Sequence, residues 1–137
     1  MERNIKITKL DYIRLNKLIA SARKEMITDL KSINVLEYDL IKAEKVISEQ
    51  IDPNYITMNS VVQIFNHVLQ KQMTIKIVYP QEADFKKNYI SVLSPLGSAL
   101  IGYKEKDTIK FEAPKGEVEI TIQKIEYQPE AAGEFLV

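Results

Sequence analysis

Few side chains in this 137-residue sequence are equipped for chemistry: it has no cysteine and one histidine. Without cysteine there is no disulfide, thiolate nucleophile or cysteine-based zinc site. His67 lies beside Asn66 between two apolar runs, with no second histidine to complete a metal site. A surface loop residue is expected there, not a general base. In ARKEMITDLKSIN the acids Glu25 and Asp29 stand four apart, flanked by Arg23, Lys24 and Lys31. A hard cation takes several oxygens and tolerates little nearby positive charge, so the pair makes a poor metal site. Its bland reading is two solvated acids paired with neighbouring lysines at helical spacing. Lys86-Lys87, ahead of a strand, reads as a solvated loop, and the scattered methionines read as packing. No metal and no cofactor are expected.

The most informative stretch is ISVLSPLGSALIGYKEKD, residues 90–107. Ser94 is a good helix N-cap, Pro95 suits the first helical position, and Gly102 suits the left-handed position after the last turn. Gly97 inside so short a helix costs roughly 1 kcal/mol relative to alanine. Close approach of the helix to a sheet is one reason to keep it.

The elements around this corner follow from periodicity. Tyr12, Leu15, Ile19, Ala22 and Met26 recur at coiled-coil spacing, as do Ile33, Leu36, Leu40, Ala43 and Ile47. Thr8 with Asp11, and Asn34 with Glu37, have the form of start signals. The short link between the two runs predicts an antiparallel hairpin, each arm too short to associate independently. Asp52-Pro53-Asn54 is the expected junction, dividing a helical hairpin over 1–52 from a β-rich unit over 53–137. Strands are expected at Val61–Asn66, Met73–Tyr79, Tyr89–Leu93, Thr108–Ala113 and Glu117–Tyr127, with Pro114-Lys115-Gly116 as a turn. The alternation of Val118, Ile120 and Ile122 switches phase by Ile125, which predicts a bulge near Gln123. The aromatics Tyr55, Phe65, Tyr79, Tyr89, Phe111 and Tyr127 are spaced for a sheet core, with no organised aromatic cage.

Lys plus Arg and Asp plus Glu are both 19, and each half of the chain is close to balance. Independent DNA binding, which needs a basic stripe to displace counterions, is therefore disfavoured. The start, MERNIKITKLDYIRL, has no signal-type apolar run, and no window approaches the ~18 apolar residues of a membrane span. A cytoplasmic protein is expected.

With these residues in place, the corner and the following IKFEAPKGEVEITIQKIEY resemble the C-terminal domain of the bacterial GreA/GreB transcript-cleavage factors. YITMNSVVQIFN and EYQPEAAGEFLV are similar to the short members of that family known as regulators of nucleoside diphosphate kinase. The resemblance covers most of residues 55–137; over residues 1–54 it rests on architecture. It implies an α+β fold: a short N-terminal antiparallel coiled-coil finger projecting from a C-terminal FKBP-like antiparallel sheet with one short helix. It also implies docking at the rim of the RNA polymerase secondary channel. Leu93, Ser94, Pro95 and Leu96 are the docking residues carried over by position, against the plainer view that Ser94 and Pro95 only cap a helix. The family's cleavage factors use two tip carboxylates three residues apart to help hold magnesium in the polymerase. Here the arms are expected to run about 17–19 residues, some 25–30 Å at 1.5 Å per residue, and Glu25 and Asp29 copy the acidic tip poorly. The expectation is a non-enzymatic elongation regulator that competes with Gre-type factors. A cleavage cofactor using the tip acids, and a direct regulator of nucleoside diphosphate kinase, are the alternatives. Fold alone does not imply prolyl isomerase activity.

Overall fold

A computed structural model describes residues 5–25 and 30–136. A short strand β1 (Lys6–Thr8) leads into helix α1 (Lys9–Lys24), and helix α2 (Leu30–Lys42) returns to strand β2 (Glu44–Val46). α1 starts where the sequence signals it: the Thr8 side chain accepts from the Asp11 N–H at 3.0 Å. Leu15, Ile19 and Ala22 are buried along one face, with Tyr12 partly buried beside them, while Met26 lies outside the described residues.

The second arm departs from expectation at both ends. α2 begins a turn before Asn34, so Asn34 and Glu37 lie within the helix rather than at its start. Their polar groups are used across the hairpin: Arg23 Nη1 donates to Glu37 Oε2 at 2.8 Å, and Nη2 donates to Asn34 Oδ1 at 2.7 Å. Ile33, Leu36, Leu40 and Ala43 are buried as the seam predicts. Ile47 is not part of it, because the chain leaves the helix after Lys42 and pairs β2 in parallel with β1. This two-strand ribbon ties the roots of both helices together. Heptad spacing from Ala43 to Ile47 spans β2 and so hides it.

The second unit is a five-stranded sheet of β3 (Val61–Asn66), β4 (Lys71–Val78), β5 (Tyr89–Ser91), β6 (Thr108–Ala113) and β7 (Gly116–Tyr127), in the order β5-β4-β3-β7-β6. Neighbours are antiparallel except the edge strand β5, which runs parallel to β4 after a crossover of two short 3₁₀ turns. The register of β7 against β3 skips Gln123, as the phase switch predicts, and skips Glu126 as well. Val62, Ile64, Ile75, Ile77, Ile120 and Ile122 supply the buried alternation.

Helix α3 (Pro95–Leu100) packs on β6 and β5, and α2 packs on α3. One apolar core therefore runs from Leu15 and Ile33 in the hairpin to Leu100 and Ile122 in the sheet unit. Each fully buried leucine or isoleucine contributes roughly 1.5–3 kcal/mol. The projecting finger implied by the resemblance is corrected here: α2 lies along the sheet unit from its first turn, where Ser32 and Ile33 are buried. In that turn Lys31 Nζ meets Glu112 Oε2, at the end of β6, at 3.2 Å. Among the described residues the two helices have 16 and 13 residues.

Asp11 joins the two units. Its carboxylate is almost fully buried and its Oδ2 accepts the Met58 N–H at 3.1 Å. The C-terminal segment closes the same junction: Gln128 Nε2 donates to the carbonyls of Asp52 and Tyr55, and Thr57 Oγ1 donates to Glu130 at 2.7 Å.

Two outcomes follow for stability. A Cβ added at Gly97 would sit 2.1 Å from the Ser91 carbonyl oxygen, so Gly97→Ala should cost about 2 kcal/mol or more and lower the urea midpoint. An unchanged midpoint would show that α3 does not press on β5. Burial pushes the Asp11 carboxyl up from 3.8 to about 6, with the Met58 N–H pulling the other way. The folded state therefore holds this proton more tightly than the unfolded chain, and stability from Asp11 falls as pH rises from 3.8 to about 6. Asp11→Asn keeps an acceptor for Met58. It should flatten part of that slope and raise stability at neutral pH by about 1–3 kcal/mol; a loss there would contradict this account of the charge.

Candidate docking corner and its groove

The corner is built by β5 ending and α3 beginning within a few residues. Val92 N–H donates to the Val78 carbonyl at 2.9 Å, holding the chain on the sheet, and the Ser94 N–H turns back to the Ser91 carbonyl at 3.0 Å. Ser94 Oγ donates to the same carbonyl at 2.6 Å and accepts the Gly97 N–H at 3.1 Å, the N-cap bond the sequence predicts. Ser98 Oγ donates to the Ser94 carbonyl at 2.8 Å. Pro95 occupies the first helical position, and Gly102 ends the helix segment at φ +86°. A Cβ on Gly102 would also strike Ile5, so this glycine is needed for its conformation and for space.

The four corner residues differ in what they offer. Leu93 is buried in the core and anchors the turn from below. Ser94, Pro95 and Leu96 are half-buried and present the turn's outer surface, with Leu96 leaning on the core. The Ser94 hydroxyl hydrogen is committed inside the turn. What the corner shows a partner is a rigid ridge with an apolar proline face.

Pro95 is also one wall of a groove of about 450 Å³ between α2, α3 and β6. Its apolar surface comes from Val35, Pro95, Ala99, Ile109 and Phe111, and its polar groups from Ser32, Asp39, Ser98 and Tyr103. Lys31 and Glu112, bridged to each other, stand among its lining residues. Burial pushes the Asp39 carboxyl up to about 6, partly offset by Lys42 on the same helix. Sequence reasoning did not single out Asp39. A signal was available: it lies three residues after Leu36 and four before Ala43, on the flank of the seam. Asp11 was legible only as a cap acid, although it lies four residues before Leu15 on the buried face.

The tip acids are not assembled by the described structure. Glu25 is exposed just after α1, its N–H donating to the Ser21 carbonyl at 3.0 Å, and Asp29 lies outside the described residues. Among the described residues no group of three or more histidine, cysteine or acidic side chains could hold a metal ion. His67 is half-buried rather than free in its loop: Nε2 is 2.7 Å from Thr121 Oγ1 and 4.0 Å from the Glu119 carboxylate, and its ring meets Phe65 edge-on. These contacts tie the turn after β3 to its neighbour strand β7. Among the described residues no helix is long and apolar enough to cross a membrane.

Comparison with known proteins matches this architecture. Residues 51–127 match the family model described as transcription elongation factor, GreA/GreB, C-term. The regulator of nucleoside diphosphate kinase of Escherichia coli K12 is 30% identical over 133 residues, which is 96% of this chain and 95% of that protein. The transcription elongation factor GreA of Thermosipho africanus is 44% identical over 84 residues, 61% of this chain but only 53% of its own length. Among solved structures, a prokaryotic transcription elongation factor GreA/GreB from Nitrosomonas europaea superposes with a TM-score of 0.73 at 32% identity. It covers 90% of this chain and all of that one. With the family model matching more than half of the chain and relatives matching nearly all of it, the chain belongs to the GreA/GreB family.

Proposed function

We propose that this protein is a non-enzymatic regulator that docks at the rim of the bacterial RNA polymerase secondary channel and modulates transcription elongation. It competes there with Gre-type factors without stimulating transcript cleavage. The corner Leu93-Ser94-Pro95-Leu96 is the docking ridge of the 53–137 unit, and the 1–52 hairpin occupies the channel entrance. It works in the cytoplasm, with no metal or cofactor of its own.

The observation that carries this reading is the disposition of the hairpin. Delivering carboxylates into a deep active site requires a long arm standing free. Here the helices span only about 24 and 20 Å at 1.5 Å per residue. α2 is packed on α3, and Lys31 in its first turn meets Glu112 at the end of β6 in an exposed ion pair. A preorganised ridge beside a short arm suits occupancy of an entrance better than chemistry at its far end, because a rigid surface loses little conformational freedom on binding. A second reading has support in the name of the E. coli relative: direct action on nucleoside diphosphate kinase. Mixing the two pure proteins and assaying the kinase separates it from an effect through gene expression.

The protein should co-migrate with core RNA polymerase at micromolar concentration and be displaced by GreA; no complex would overturn the docking reading. Ser94→Ala with Pro95→Ala should weaken binding about tenfold. The lost cap should cost only about 1 kcal/mol of stability, and circular dichroism checks that the fold persists. With a backtracked elongation complex, release of short 3′ RNA should stay at the rate seen without the protein. Acceleration abolished by Glu25→Ala or Asp29→Ala would instead establish the cleavage-cofactor alternative.

A further inference from the structure

The groove beside the corner extends beyond the Leu93–Leu96 ridge, and its composition is specific. Well-packed proteins leave few voids larger than a water molecule. A space of about 450 Å³ between α2, α3 and β6 is therefore large enough to be a binding site. Its walls are apolar at Val35, Pro95 and Phe111, and Asp39 brings a carboxylate among them. Lys110 is also on the β6 wall, but it alternates with Ile109 and Phe111 along the strand and is exposed, so its side chain leaves from the opposite face of the sheet. Lys31 is already engaged by Glu112 at 3.2 Å. Lys42, the cation acting on Asp39 along the helix, holds its ammonium 4.5 Å from the Tyr38 ring centroid, and Tyr38 is on the exposed side of α2.

We propose that this groove receives one basic side chain of the surface on which the proline corner docks, its methylenes lying on Val35, Pro95 and Phe111 and its charge ending at Asp39. Lysine and arginine have this form, an apolar stem with a cationic head. An anion entering the same space would face the Asp39 charge, and a purely apolar group would bury that carboxylate further with only Lys42 to offset it. Pro95 belongs to both the ridge and the groove, so a surface held at the corner continues directly into it. The folded-down hairpin thereby gains a purpose, since α2 supplies half of the receptor and both units bind one partner together. The identity of the partner rests on the docking reading; the chemistry of the groove does not.

Two measurements test it on the full chain. Binding to core RNA polymerase should weaken about tenfold in Asp39→Asn, with a shallower dependence on salt, because a desolvated charge pair is lost. Val35→Lys, which offers the groove an internal cation, should weaken binding similarly. Thermal melting establishes that both variants are folded. If these variants bind as the wild type does while the Ser94→Ala/Pro95→Ala protein is weakened, the groove proposal falls and the docking corner stands. Independently of polymerase, N-acetyl-arginine amide titrated into the wild type should shift the backbone amide signals of Ala99 and Phe111, and the shifts should vanish in Asp39→Asn. Absence of shifts in the wild type overturns the receptor; their presence supports it even if no polymerase complex forms.

Discussion

The burial of the inner face of α2 against α3, which itself packs on β6, is the constraint on which the rest of the molecule depends. Helices of 16 and 13 residues are marginal by themselves, because nucleation is costly and few residues remain to repay it. A two-heptad hairpin therefore needs a third surface. The sheet unit provides it, so Ile33 and Leu36 lie fully buried in the same core as Leu100 and Ile122. The β1–β2 ribbon fixes the roots, Arg23 clamps the other end across the pair, and Asp11 reaches into the loop before β3. The ribbon and Arg23 fix the two arms to each other, and Asp11 fixes the hairpin to the sheet unit.

The same logic applies at the corner. α3 has six residues and cannot persist as an isolated helix, so its position comes from caps and contact rather than propensity. Ser94 satisfies one of its free N–H groups, and Gly97 lets its backbone reach the Ser91 carbonyl where a side chain would collide. Because Ser94 and Ser98 are both bonded inside the turn, the ridge is set before any partner arrives. Capping leaves the turn rigid, and a rigid surface loses little conformational freedom when it meets another.

Asp11 and Asp39 show a tension between stability and placement. Both carboxyls are pushed up to about 6 by burial, so each is charged at neutral pH in surroundings that disfavour the charge. For Asp11 the compensation is visible in the Met58 N–H it accepts, which ties α1 to the sheet unit. For Asp39 burial is less complete and the carboxylate lines an open groove, where an outside cation can supply what the fold does not. Burial alone does not distinguish these acids; their surroundings do.

Local chemistry was legible from the residues. The Thr8 cap, the Ser94–Pro95–Gly102 frame of α3, the bounds of β3 and β6, and the bulge at Gln123 all depend on neighbours in the chain, so sequence spacing carries them. Family membership was legible too, since the corner and the Tyr-Gln-Pro-Glu run are contiguous motifs. Hidden were the features set by residues far apart. Heptad spacing reports that Ile33 and Leu36 are buried but not by what, so a projecting finger and one lying on the sheet share a pattern. β2 was read as the end of a helix and β1 was not foreseen, Asn34 and Glu37 were read as a start signal until Arg23 claimed them, and His67 found Thr121 only through the pairing of β3 with β7. The sequence by itself determined which faces must leave water. Tertiary structure alone decided which face meets which, because hydrophobic burial is strong but has no direction.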